Sequence, residues 1–231
     1  VLTQQTREAL CGTCGLHRSV DMLARRLITV ALLLIPFALA ASGIFTQAFL
    51  TWDESNYARL GLPPEFRQHP LQVFSLNYQG AKPAAAVTTS IGYLIFGINP
   101  WAPVMLSLWM GALLLAVVYK WASQVGSNVF SGWLAMALLG SSFSLNWYSR
   151  WRSPQNAQML FIAIASLCLV QWYRSGKQNR IRSAGIAVGV AILYHYLSVY
   201  AATAMGVWLL VSIPNKIGDA KIMRPFGVRL A

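Results

Sequence analysis

Charge is scarce in this chain. Of 231 residues only 24 are charged, 18 basic and 6 acidic, or 10%. An average soluble domain is about 25% charged. The formal charge of +12 could suggest nucleic acid, but nucleic-acid modules are rich in charge. The shortage argues against a soluble enzyme, a disordered tail and a nucleic-acid partner. Cysteine is scarce too: Cys11, Cys14 and Cys168. An odd count with one member inside an apolar run is no disulfide framework. Cys11-Gly-Thr-Cys14 with His17 has the spacing of a metal knuckle, but a structural zinc wants four ligands and no second pair exists. The alternative is a mobile N-terminal segment. No phosphate-binding glycine loop, dinucleotide fingerprint, zincin helix or nucleophile elbow occurs.

What is abundant is apolar sequence, 56% of the chain. Uncharged apolar runs occupy 27–49, 84–98, 101–119, 129–147, 157–172 and 183–213. A span needs about 20 such residues, so these runs predict an all-α polytopic membrane protein. Two runs are ambiguous. The run 84–98 is short, opens after Lys82-Pro83 and ends at Asn99-Pro100. The run 183–213 would be about 46 Å long as one helix, against a hydrocarbon core of about 30 Å.

The asymmetry of basic loops resolves both. With 84–98 interfacial and 183–213 broken near His195-Tyr196-Leu197-Ser198, thirteen cations fall on one side and five on the other. If 84–98 spans instead, the split becomes six against twelve with the wrong sign. The expected architecture is therefore about six spans plus an interfacial juxtamembrane helix in the first outer loop. Both termini are cytoplasmic. Residues 1–26 form a cytoplasmic segment, 27–213 the membrane domain with its outer loop at 51–100, and 214–231 a basic, truncated tail. Trp52, Trp101, Trp121, Trp147, Trp151 and Trp172 sit at span ends, as an interfacial belt requires.

Three outer clusters could carry chemistry. Asp53-Glu54-Ser55-Asn56-Tyr57-Ala58 sets two carboxylates where the first span meets water. It reads either as a solvated loop or as a general base or metal ligand at the bilayer surface. Lys82-Pro83 offers a cation that either snorkels to a headgroup or clamps a phosphate. Tyr148-Ser149-Arg150-Trp151-Arg152 places two arginines on the sparsely charged side, where an anion or a carboxylate would compensate them. His195, at the tip of the fifth span, is a fourth candidate. This chemistry suits transfer from a lipid phosphate to a polar acceptor. It also suits the alternative, a transporter or flippase for an anionic lipid or solute.

The order of these motifs resembles the N-terminal part of the GT-C membrane glycosyltransferases, in the dolichyl-phosphate-mannose protein mannosyltransferase and aminoarabinose transferase group. The matching features are Asp53-Glu54 followed by Tyr57-Ala58, Lys82-Pro83 through Phe96-Gly97, Tyr148-Ser149-Arg150, and Gly189-Val190-Ala191 through His195. The resemblance covers roughly 25–213. It implies inverting transfer of a sugar from a polyprenyl-phosphate donor to a lipid or protein acceptor on the non-cytoplasmic face of a bacterial inner membrane. By similarity Asp53 is the catalytic base and Glu54 supports it. Tyr57, Lys82, Arg150, Arg152 and His195 bind substrate, and cations at the leaving phosphate stabilise its developing charge. Where many members carry a second acid this chain has Gln155. The resemblance therefore assigns no cofactor, and a divalent metal is disfavoured. Where many carry a lysine at the tip of the fifth span this chain has His195, whose charge depends on pH.

Overall fold

A computed structural model describes residues 4–41, 82–99, 101–150 and 154–217. Side chains of 4–21, 40, 150 and 213–217 are outside the description. The described residues form eight helices and no strand. These are α1 (Gln4–Ala41), α2 (Pro83–Phe96), α3 (Ala102–Val125), α4 (Val129–Gly140), α5 (Phe143–Arg150), α6 (Gln155–Ser175), α7 (Gln178–Tyr194) and α8 (Ser198–Ile217). The all-α membrane architecture is the one expected. α1, α3 and α6 are each long and apolar enough to cross a bilayer, and α4 with α5 makes a fourth crossing if the bent pair is one span. α7 and α8 part at His195, where the sequence predicts a break. α1 begins at Gln4 and runs on into the first apolar run.

The end of α3 meets the end of α6, because the Arg174 guanidinium donates to the Gln124 carbonyl. The start of α6 meets α3 at Ser107 and α5 at Ser149. One end of the bundle thus gathers Lys82, the close of α5 and His195. The other gathers Lys120, Arg174, Lys177, Arg180 and Arg182. This is the segregation that loop charge demands.

α2 does not cross. Its 14 residues reach about 21 Å. It folds back along the first turns of α3, with Gly92 against Ala102 and Pro103, and its start lies beside Tyr194 at the end of α7. Pro83 opens the helix, where a missing N–H costs nothing. Val87, Ile91, Leu94, Ile95 and Ile98 form an exposed apolar stripe, while Ala85, Ala86, Thr89 and Tyr93 turn inward. Thr89 and Ser90 satisfy their buried hydroxyls on the carbonyls of Ala85 and Ala86, one turn back.

Two clusters make the core. Leu114, Leu115, Met136, Leu145 and Leu160 join α3, α4, α5 and α6. Ala165, Cys168, Leu169, Ala184 and Ala187 join α6 and α7. The small residues of the second let the backbones approach closely, which is how helices associate in lipid. α1 packs outside the first cluster, with Phe37 on Trp109 at 5.2 Å and Trp133 donating to Thr29 Oγ1 at 2.9 Å.

The run 129–147, expected as one straight span, is instead broken. α4 and α5 meet at 63°. The bend sits at Ser141-Ser142, and serine pairs are a recognised cause of helix kinks. It frees carbonyls that must be satisfied internally at membrane depth. Ser141 Oγ donates to Leu138 O at 3.1 Å and Ser142 Oγ to Leu139 O at 2.7 Å. Asn146 Nδ2 donates to Gly140 O at 2.9 Å and to Ser142 O at 3.0 Å. Gly140 also meets Pro36 of α1 so closely that a Cβ there would lie 2.7 Å from the proline ring.

Candidate functional site

Lys82 precedes the proline that starts α2, and His195 follows the last residue of α7. More than a hundred residues apart in sequence, both are buried at the same end of the bundle, at 4% and 8% exposure. The Thr88 and Tyr194 hydroxyls hold α2 to α7 through a hydrogen bond of 2.5 Å. Tyr194 is fixed from its other side by Phe161 of α6, stacked at 5.7 Å. Ala85, Ala157 and Tyr194 close the contact.

His195 is oriented by its own backbone. The Leu197 N–H donates to Nδ1 at 3.2 Å, so in the neutral ring the proton is on Nε2. The ring stacks on Tyr196 at 4.9 Å. Burial, and then the nearby Lys82 charge, pushes the imidazole below its usual range. At neutral pH it is an uncharged donor beside an ammonium group. Ser198 continues the turn, its hydroxyl donating to Ala191 O at 2.9 Å.

A second polar cluster fixes the end of α5. Asn156, fully buried, donates through Nδ2 to Ser149 Oγ at 2.8 Å and to Ser107 O at 3.2 Å. Ser107 Oγ in turn donates to Tyr148 O at 2.9 Å. Three helices are thereby tied at one level. Gly111 permits the approach, because a Cβ there would lie 2.7 Å from Ser149 Oγ and 3.0 Å from Asn156 Nδ2. Among the described residues Asn156 Oδ1 and Gln155 Oε1 are buried without a hydrogen-bond partner. Between the two clusters lies a cavity of about 20 Å³, bordered by Thr88, Thr89, Ser107, Pro154 and Tyr194. That is room for one water.

The structure thus brings Lys82 and His195 together. The backbone of Arg150 closes α5 beside the Asn156 cluster, and its side chain is outside the description. Asp53, Glu54, Tyr57 and Arg152 lie outside the described residues, as do the side chains of all six acids. Among the described residues no group of three His, Cys, Asp or Glu could hold a metal. Sequence reasoning passed over Tyr194, Thr88, Ser107, Gly111 and Asn156. Tyr194 and Asn156 each adjoin a residue that the motifs did single out, and that adjacency was the available signal.

A protein-family model described as dolichyl-phosphate-mannose-protein mannosyltransferase matches residues 64–229. No curated protein and no solved structure matches the chain.

Proposed function

We propose, for a chain that belongs to the dolichyl-phosphate-mannose-protein mannosyltransferase family, inverting transfer of a sugar from a polyprenyl-phosphate donor to an acceptor hydroxyl at the end of the bundle that holds Lys82 and His195. Membership makes the chain a multi-pass membrane glycosyltransferase of GT-C type, from a family that uses polyprenyl-phosphate-linked sugars. The finer assignments are ours. Asp53 takes the proton of the acceptor hydroxyl as its oxygen attacks the anomeric carbon, and the bond to the donor phosphate breaks on the opposite face. Glu54 supports that base. Lys82, Arg150 and Arg152 attract the departing phosphate dianion, His195 donates from Nε2, and Tyr57 borders the sugar. The acceptor is a lipid or a protein on the non-cytoplasmic side of a bacterial inner membrane, with both termini on the other side.

One observation carries this reading: a lysine and a histidine from opposite parts of the chain are buried together at one end of the bundle. An ammonium group at that end of the bundle is placed to pair with the anionic phosphate of a bound donor. The test is sugar transfer by the full-length gene product in membranes, from a labelled polyprenyl-phosphate donor. Asp53→Asn is expected to lower kcat about 10²- to 10⁴-fold, the range for a general base, while donor binding persists. Full activity in Asp53→Asn refutes the assigned base. Uptake of an anionic lipid or solute into vesicles without transfer overturns the enzyme reading.

A further inference from the structure

A groove of about 550 Å³ opens between α3, α6 and α8. Trp121 and Val125 of α3 form one wall, Ala204 and Trp208 of α8 the other, and Leu169 and Val170 of α6 the floor. Its size lies within the roughly 300–1,000 Å³ of small-molecule pockets. The Ser166 hydroxyl borders it but is spent on the Ile162 carbonyl at 3.0 Å. The lining therefore favours hydrocarbon.

The position is as informative as the lining. Leu169 lies 13 residues along α6 from Asn156, about 20 Å from the level of the site. The groove is thus in the opposite half of the bundle, where Tyr173 packs on Trp208 at 5.8 Å. Exposed cations lie at the same end of the bundle. Lys120 adjoins Trp121, and Arg174 reaches the carbonyl of Gln124, the residue before Val125. Lys177, Arg180 and Arg182 follow on the next turn and helix. From Phe66 to Gly218 the sequence holds no carboxylate.

We propose that this groove takes one acyl chain of an anionic phospholipid from the leaflet at the basic end of the bundle, with the lipid phosphate among Arg174, Lys177 and Lys120. An apolar slot lined by no charge, with cations on the neighbouring turns, complements a molecule with a hydrocarbon tail and an anionic head. Each basic residue near an anionic surface adds about 1 kcal/mol, or about fivefold. A zwitterionic lipid gains no such net term.

The test places the full chain in vesicles containing acyl-brominated phosphatidylglycerol or acyl-brominated phosphatidylcholine at equal mole fraction. Bromine quenches nearby indoles, and Trp121 and Trp208 face the groove. The phosphatidylglycerol is expected to quench more, and the excess to vanish in Trp121→Phe/Trp208→Phe. Arg174→Gln and Lys177→Gln should each weaken the preference about fivefold. Ala204→Phe and, independently, Ala201→Phe should block the groove and abolish the excess while helical circular dichroism is kept. Equal quenching by the two lipids overturns the proposal, as does an excess that survives both blocking variants. Displacement by equimolar polyprenyl phosphate overturns it in favour of the donor's tail. Protection from quenching that grows with protein density overturns it in favour of a second copy.

Discussion

Gly111→Ala tests whether the Arg150 end of α5 is held by contact with α3. The added methyl would sit 2.7 Å from Ser149 Oγ and 3.0 Å from Asn156 Nδ2, both inside normal contact. Overpacking of this kind costs about 1–3 kcal/mol. Forcing the Ser149 hydroxyl away also breaks its 2.8 Å bond from Asn156, worth about 1 kcal/mol. Alanine in place of glycine in a helix interior returns up to about 1 kcal/mol. The net expectation is a loss of about 1–3 kcal/mol. At about 2–4 °C per kcal/mol for a chain this size, melting in detergent followed by circular dichroism should fall by about 2–12 °C. Ser149→Ala removes the nearest clashing atom, so the double variant should be less destabilised than the sum of the singles, by at least about 0.5 kcal/mol. Donor KM should follow the same pattern, because Arg150 is the next residue after Ser149. An unshifted melt in Gly111→Ala, or strictly additive singles, refutes the packing argument.

Three further expectations follow from the Lys82 and His195 pair. The folded imidazole titrates below its ordinary value of 6.5, so between that lowered value and 6.5 the unfolded chain binds a proton that the folded chain does not. Stability is then full above 6.5 and falls as pH drops through the window. Melting from about pH 7.5 to 5.5 should show the fall in the wild type and lack it in His195→Gln. Lys82→Met should narrow the same acid loss by removing the repelling charge, and should weaken donor binding roughly 10- to 150-fold, the cost of about 1.5–3 kcal/mol for a charged hydrogen bond, as read by titration with donor. Tyr194→Phe deletes the bond to Thr88, whose hydroxyl still reaches Ala84 O at 2.8 Å. It should therefore cost only about 1 kcal/mol, seen as a small drop in melting temperature.

The parts of the fold legible in the sequence are those that water and lipid dictate. The basic residues around 120 and 174–182 fall at the opposite end of the bundle from Lys82 and the close of α5, as their spacing along the apolar runs implies. The break at His195 followed from length, because a helix of 31 residues overshoots the bilayer. The bend at Ser141-Ser142 was not legible, because the run 129–147 is apolar throughout and hydropathy does not register direction. Its support is partly tertiary, with Pro36 of α1 against Gly140, and partly local, with Asn146 satisfying the freed carbonyls. Asn156 was overlooked for a similar reason. The departure at Gln155 drew notice as a missing acid, whereas the partners of Asn156 at Ser107 and Ser149 come from other helices.

The bend also acts as a lever. α5 is eight residues long, an arm of about 12 Å from Ser141-Ser142 to Arg150, the residue proposed to hold the donor phosphate. A rotation of about 5° at the pivot sweeps the tip through about 1 Å, and displacement of that size can change a catalytic rate about 100-fold. The serine and asparagine bonds at the pivot, and the Asn156 clasp near the tip, therefore set the angular tolerance of the arm. Variation at Ser141, Ser142 or Asn146, remote from any reacting atom, would alter turnover by changing an angle while every residue at the tip stays the same.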